Sequence, residues 1–250
     1  MKKLVFAFVT IVLVACSSNK TDMMDVVSYQ VAIEDEKLNL FFEFDSKIEL
    51  PTKKFDASYK LLKDSIVVAI LGSDFADYSD KKALKVYADS SYVEYKKMYD
   101  EIFENNIIEP TDSFYFSTDI KGNVFYYDST IVSYQRVLSS YSGGVHGLTT
   151  KTNYVFDVKT GKQLTEEDVF GKGFERLVGG LLVEKANILR EQGKLPLQDE
   201  FYNDWNIVAN SNFALTDSSV IYTFNPYEIA PYCFGVIDIE ILKTEIKTYY

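Results

Sequence analysis

Cys16 and Cys233 are the only two cysteines in 250 residues, and the setting of the first leaves the fold without a disulfide. Lys2 and Lys3 precede an apolar run of eleven residues, Leu4 to Val14, which Leu13-Val14-Ala15-Cys16 closes. A stable transmembrane helix needs about 20 apolar residues, so this run is too short to cross a bilayer. A basic start, an apolar middle and small Ala15 before a cysteine read instead as a lipoprotein signal peptide over residues 1–15. On that reading Cys16 is diacylated and becomes the new N-terminus. A thiol consumed by lipid cannot pair with Cys233, so the exported chain must hold together by burying apolar surface. Cys233, set among aromatics in Tyr232-Cys233-Phe234-Gly235, is expected to be a buried small hydrophobe.

Material for such a core is present. Hydrophobic residues make up 47% of the chain and aromatics 15%, which argues for a packed globular body and against disorder. Basic residues number 26 against 37 acidic, and loss of Lys2 and Lys3 with the signal peptide takes the net charge from −11 to −13. So acidic a surface repels phosphate backbones, and nucleic acid is not an expected partner. Attachment to the membrane falls to the N-terminal lipid, since no basic patch assists it. The expected location is the cell envelope.

Periodicity divides the exported chain. Residues 16–28 are polar and read as a tether; residues 29–150 and 151–250 read as two closely associated α+β domains. Leu38 to Phe44 reads as a strand that Pro51 ends. Phe55, Tyr59, Leu62, Ile66, Ala69 and Ile70 recur at helical spacing and stop at Gly72. Ser79 then caps a second helix carrying Leu84, Tyr87, Ser91, Tyr95, Met98, Ile102 and Phe103 on one face and charges on the other. Ser113 to Asp119 and Asn123 to Asp128 alternate around Ile120-Lys121-Gly122, which predicts a hairpin, and Ile131 to Ser139 follows as a strand. Ser142-Gly143-Gly144-Val145-His146-Gly147 is too rich in glycine for a strand interior and reads as a loop. Asn153 to Val158 is a strand ended by Lys159-Thr160-Gly161-Lys162. Thr165 to Asp168 is a capping box. Phe174 to Leu189 is the clearest helix, with Gly179-Gly180 expected to permit close approach of a neighbouring backbone. A short helix is expected around Phe201 to Trp205. A hairpin follows across Asp217-Ser218-Ser219, and the last strand places Ile237, Ile239 and Ile241 on one face. Helices in blocks between antiparallel hairpins predict an α+β fold, with antiparallel sheets packed against amphipathic helices.

The chemistry of sites is sparse. His146 is the sole histidine, too few for the two or three that zinc hydrolases use, and Gly-x-Ser-x-Gly is missing. The glycine loop lacks the helix and the Lys-Ser/Thr of a phosphate-binding loop. Asp74, Asp77 and Asp80 lack the spacing of a calcium loop and read as helix-entry charges. No cofactor or metal is implied, and the chain reads as a binding module and not an enzyme. The alternative is a glycan-active enzyme using paired carboxylates, which 37 acids permit without singling out a pair. Gly143, Gly144 and His146 are candidate binding residues whose structural alternatives are backbone geometry and a bond from the imidazole to a carbonyl. Tyr227 and Tyr232, in Asn225-Pro226-Tyr227-Glu228-Ile229-Ala230-Pro231-Tyr232, offer rings for stacking on a ligand or for packing at the rim.

Three segments together carry a resemblance: Tyr141 to Gly147; Tyr154-Val155-Phe156-Asp157 with Thr160-Gly161-Lys162 and Asp168-Val169-Phe170; and Phe224 to Tyr232 with Gly235. From about Tyr29 to Tyr250 the chain resembles the paired domains of unknown function in PdaC-like peptidoglycan deacetylases and in the ectodomain of the RsiV anti-sigma factor. Stand-alone lipoproteins of Bacteroides-like bacteria look similar. The resemblance implies a PdaC-like first domain and an RsiV-like second. The deacetylase catalytic domain has no counterpart here, and Ile241-Leu242-Lys243-Thr244 lacks the proline usual at that position. What the resemblance implies is a membrane-anchored envelope domain whose partner is a lysozyme-like basic protein or a peptidoglycan fragment. A net charge of −13 would draw a basic partner in a salt-dependent way.

Overall fold

The computed structural model of the protein describes residues 23–36, 38–104, 114–196 and 207–247. Cys16, the tether as far as residue 22 and the helix expected at 201–205 lie outside the described residues.

Five strands form the first sheet in sequence order: β1 (Met24–Asp35), β2 (Leu40–Pro51), β3 (Phe114–Tyr127), β4 (Ile131–Tyr141) and β5 (Leu148–Asp157). Three of the four pairings are antiparallel as expected; β2 and β3 run parallel. The exception follows from the two helices between them, α1 (Tyr59–Leu71) and α2 (Asp80–Glu104), which carry the chain back to the end from which β2 started. Both helices lie on one face of the sheet. Alternate residues Leu40, Phe42, Phe44, Ile48 and Leu50 of β2, with Phe116, Ile120 and Val124 of β3, bury themselves against Leu62, Ile66, Ile70, Leu84 and Ala88. The helix spacing in the sequence is met, and α1 ends at Gly72, whose φ of 106° only glycine adopts easily. Its start is Tyr59 and not Phe55, because the Asp56 carboxylate accepts the Ser58 N–H at 2.7 Å and holds the chain in a turn.

Two expectations for this sheet are corrected. Met24 to Ser28, read as tether, are the first residues of β1. The hairpin around Ile120-Lys121-Gly122 is instead the middle of one 14-residue strand, β3, with an irregularity between Val124 and Tyr126. Gly122 imitates a turn signal. Its real duty is to leave room for Tyr134 on β4, whose hydroxyl passes over it to the Glu49 carbonyl at 2.9 Å.

The second sheet is antiparallel and contains β6 (Phe213–Leu215), β7 (Ser219–Phe224) and β8 (Ile237–Leu242). Before it come α3 (Glu166–Phe170), opened by the Thr165–Asp168 capping box, and α4 (Phe174–Glu191); α5 (Lys243–Lys247) follows it. Val178, Leu181, Leu182 and Ala186 of α4 pack on Tyr222, Phe224, Ile237, Ile239 and Ile241. No atom lies within 4 Å of a Cβ built at Gly179 or Gly180, so the close approach expected there does not occur.

β5 belongs to both layers. Phe156 points into the core under α1 and α2, while neighbouring Val155 points into the core under α4. Residue 150, the expected domain boundary, falls inside this strand. The chain is an α+β fold of two sheets, one five-stranded and one three-stranded, mostly antiparallel.

Candidate functional site

β5 ends the first sheet, and an edge strand presents N–H and C=O groups that need partners. Asparagine side chains supply several of them. Asn225 Oδ1 accepts the Lys151 N–H at 2.7 Å and its Nδ2 donates to the Lys151 carbonyl at 3.1 Å. Asn212 does the same one step along, accepting the Asn153 N–H at 2.7 Å and donating to the Lys151 carbonyl at 3.0 Å. Buried Asn153 donates to Thr223 Oγ1 at 2.7 Å, and that hydroxyl donates to Asp238, which also pairs with Lys151 Nζ at 3.0 Å. On β4, Ser133 is fully buried and exchanges two hydrogen bonds with Leu215 of β6. The second sheet is therefore fastened to the first by side chains reading backbone.

Asn225 thereby fixes the start of an arm, residues 225–235, beside the glycine loop 142–147. Within the arm, Asn225 N donates to Glu228 at 2.9 Å, Tyr227 N donates to the Ala230 carbonyl at 3.1 Å, and Ile229 and Ala230 are buried in the second core. In the loop, Gly143 and Gly144 have φ of 89° and 87°, so the backbone and not lack of space requires glycine there. Gly147 is the reverse case, since a Cβ would sit 2.8 Å from the Ser140 carbonyl oxygen.

Three of the candidate residues meet where loop and arm touch. Tyr232 donates its hydroxyl to the Gly147 carbonyl at 2.7 Å, and His146 stacks on its ring with centroids 3.9 Å apart and planes 18° from parallel. The His146 Nδ1 lies 3.0 Å from the Gly147 oxygen, a distance at which Nδ1–H donates. Tyr227 stands 5.8 Å from Tyr232, 57% exposed, with a φ of 73° that a tyrosine adopts only under constraint. Gly143 and Gly144 shape the loop without touching this cluster; Tyr141 ties it down by donating to the Gly144 carbonyl at 2.9 Å. Cys233, next in the arm, is exposed and not the buried hydrophobe expected, because its neighbour Tyr232 takes the inward position.

Tyr141 also opens a row of rings that the sequence did not announce. Tyr115 lies 6.0 Å from it, and Phe41 stacks on Tyr115 at 5.6 Å and 16°. The Tyr115 hydroxyl donates to Glu43 at 2.5 Å, and through that bond the carboxylate holds the phenol proton above its ordinary range. These residues are alternate positions of β2, β3 and β4 on the face opposite α1 and α2, so period-2 spacing would have found them once the strands were known to be neighbours.

A buried carboxylate sits elsewhere. Glu166 accepts from Ser211 N at 3.3 Å and Ser211 Oγ at 3.2 Å, and burial together with its charge pushes the Tyr222 phenol up. Among the described residues no group of three or more His, Cys, Asp or Glu is placed to hold a metal ion, and no helix is long and apolar enough to cross a membrane.

Residues 167–243, from α3 to the first residue of α5, match a family model described as protein of unknown function (DUF3298). No curated protein matches the chain. In fold it is similar to the crystal structure of a DUF3298 family member from Bacteroides fragilis NCTC 9343, with 22% identity and a TM-score of 0.69 over 90% of this chain and 92% of that one. It is also similar to a DUF3298 family protein from Pseudomonas aeruginosa PAO1, with 17% identity and a TM-score of 0.52 over 89% and 93% of the two chains. Both likenesses cover about nine tenths of this chain and show a shared fold.

Proposed function

We propose that the chain is a non-catalytic binding module of the cell envelope, anchored by lipid on Cys16, whose ligand contacts the loop and arm around His146, Tyr232 and Tyr227. The observation that carries this reading is Tyr227: a large ring kept in solvent, on strained backbone, beside a stacked pair. Strain of this kind costs on the order of 1–3 kcal/mol and persists where a site over-determines it. The resemblance of Gly143-Gly144-Val145-His146-Gly147 and of the Asn225 to Tyr232 segment to PdaC- and RsiV-like envelope domains supports the same assignment.

Geometry favours a protein ligand over a glycan. A sugar stacks on a free ring face, yet His146 covers one face of Tyr232, and Phe41 and Tyr115 stack on each other. Rings packed side by side with hydroxyls and a carboxylate between them make an amphipathic protein-binding surface. The net charge of −13 left once Lys2 and Lys3 are lost with the signal peptide suits a basic partner such as a lysozyme-like protein, with attraction that fades as salt rises.

Calorimetric titration of the domain against lysozyme and against soluble muropeptides, at low and physiological salt, tests the proposal. Binding that Tyr227→Ala weakens is the expected result; silence from both ligands refutes the named partners. Turnover of peptidoglycan abolished by a single Asp or Glu substitution would overturn the non-catalytic reading. For the anchor, Cys16→Ala should move the protein from the detergent phase to the aqueous phase.

A further inference from the structure

The two edges of the first sheet are finished differently. β5 is closed by the asparagines and the second sheet, whereas β1 has β2 as its one neighbour among the described residues. β1 pairs with β2 without a bulge from Met24 opposite Pro51 to Asp35 opposite Leu40. The Thr52 N–H donates to the Met23 carbonyl at 2.9 Å, and the Ser46 hydroxyl donates to the Tyr29 carbonyl at 3.0 Å. Odd-numbered residues of β1 therefore turn their backbone groups toward β2. Alternate residues of an antiparallel strand face the other way, so the N–H and C=O groups of Val26, Ser28, Gln30, Ala32 and Glu34 point off the sheet.

Edges are ordinarily blunted by lysine, proline or a bulge, and residues 26–33 hold no charge, proline or glycine. On the side of α2, Val27, Tyr29, Val31 and Ile33 are half-buried against the core, and a further strand would complete their cover. On the other side Val26 is 55% exposed, and Ser28, Gln30 and Glu34 are exposed with it.

Charge selects the kind of strand that fits. Asp25 stands at one end of the uncharged stretch, and Glu34 and Asp35 at the other. Two copies of β1 paired antiparallel over their full length would set Asp25 against Glu34. Paired parallel and in register, they would set each acid against itself, and like charges directly opposed are destabilising. Behind the edge, the same face of β2 adds Glu43, Asp45 and Glu49 against Lys47 alone. These three acids accept from the Tyr115 hydroxyl, the Gln30 amide and the Val124 N–H, none of which brings a charge to offset theirs. On the α2 side Lys85 and Lys96 are already paired with Asp89 and Asp100.

We propose that β1 is a docking edge that takes an extended segment of a basic protein as a sixth strand, with arginine or lysine of that segment beside Asp25 and Glu34. Main-chain hydrogen bonds supply the affinity, and the flanking acids choose the partner and turn away a second copy. Four strand spacings of about 4.8 Å put β1 roughly 19 Å from β5, so this surface is separate from the loop and arm and stands without them.

The test follows amide hydrogen exchange residue by residue in the full chain in mild detergent. The probe is a peptide of alternating valine and threonine with arginine at each end, matched in length to residues 25–34. In the free chain the N–H groups of Val26, Ser28, Gln30, Ala32 and Glu34 should exchange several times faster than those of Val27, Tyr29 and Val31. The peptide should slow the first set severalfold and leave residues 142–147 unchanged. Glutamate in place of its arginines should abolish the slowing. Protection of the first set in a free monomer would mean that a segment of this chain already covers the edge; protection in a dimer would assign the edge to a second copy. Either result overturns the proposal, as does an absence of slowing or equal slowing by the glutamate peptide. Ala32→Pro removes an N–H that faces outward and should keep the β2 ladder while losing the peptide. Ala32→Lys, which leaves the backbone intact, should weaken the arginine peptide severalfold by repulsion; unchanged binding in both variants overturns the docking edge.

Discussion

The hydroxyl of Tyr134 crosses the neighbouring strand directly over Gly122 to donate to the Glu49 carbonyl at 2.9 Å. A methyl group at residue 122 would collide with that hydroxyl and lie 3.1 Å from Ile48 Cγ2, and Tyr134 is fully buried with nowhere to turn. Gly122→Ala should cost about 1–3 kcal/mol, as overpacked cores do. In a Tyr134→Phe background the same change should cost distinctly less, since the hydroxyl is gone. Urea midpoints of the four proteins in that cycle measure the coupling, and strict additivity would contradict the geometry.

Asn225 is expected to matter to both stability and binding. Its truncation to Ala strips the Lys151 N–H of its 2.7 Å acceptor, and an unpaired buried donor costs about 1–3 kcal/mol. Tyr227 and Tyr232 hang on the arm that Asn225 starts, so ligand affinity should fall in the same variant at temperatures where it is fully folded. Denaturation and titration of one preparation check both.

Tyr227→Gly separates strain from structure. Relief of a φ of 73° should offset the loss of ring contacts and leave stability unchanged or raised by up to about 1 kcal/mol. Affinity for the partner should drop nonetheless. A variant destabilised by several kcal/mol would show Tyr227 to be a packing residue.

Gly180 lies exposed in the interior of α4 with open space where a Cβ would stand. Alanine there should stabilise the protein by about 0.5–1 kcal/mol, raising Tm by roughly 1–4 °C. A loss of stability would mean that the glycine pair has the close contact its sequence suggested.

The Asp168 carboxyl is lowered from 3.8 to about 2, chiefly by its bond from Lys162 Nζ and then by the Thr165 backbone and hydroxyl. A carboxylate whose folded pKa is depressed stabilises the fold above its unfolded pKa and loses that contribution as pH falls through the folded one. Asp168→Asn should therefore be less stable than the parent at neutral pH. The gap should close between about pH 4 and pH 2, which thermal melts across that range will show.

Local signals in the chain were enough for every element whose cause is local. The capping box at Thr165, the stripe from Phe174 to Leu189, the stop at Gly72 and the alternation of Ile237, Ile239 and Ile241 stand in the structure as the spacing predicts. Each depends on residues within a few positions of one another, where hydrogen-bond partners and burial period are set by sequence distance. Glycine was the weak letter in this alphabet. Gly122 looked like a turn and Gly179-Gly180 like a packing notch, because a residue without a side chain says only that something is absent, and what fills the space comes from elsewhere in the chain.

The site belongs to that second kind. Gly147 and Tyr232 are 85 residues apart in the chain yet share a 2.7 Å hydrogen bond, and the asparagines that bring them together read backbone atoms, which no side-chain pattern reports. By itself the sequence determined an α+β class, most helices and strands, and the identity of the loop and arm as unusual segments. That His146 stacks on Tyr232, that Cys233 is turned to solvent and that Phe41, Tyr115 and Tyr141 form one row were decided only when the edge of β5 was closed by the second sheet. Unpaired backbone groups at a sheet edge must find partners, and which partners they find is a property of the folded whole.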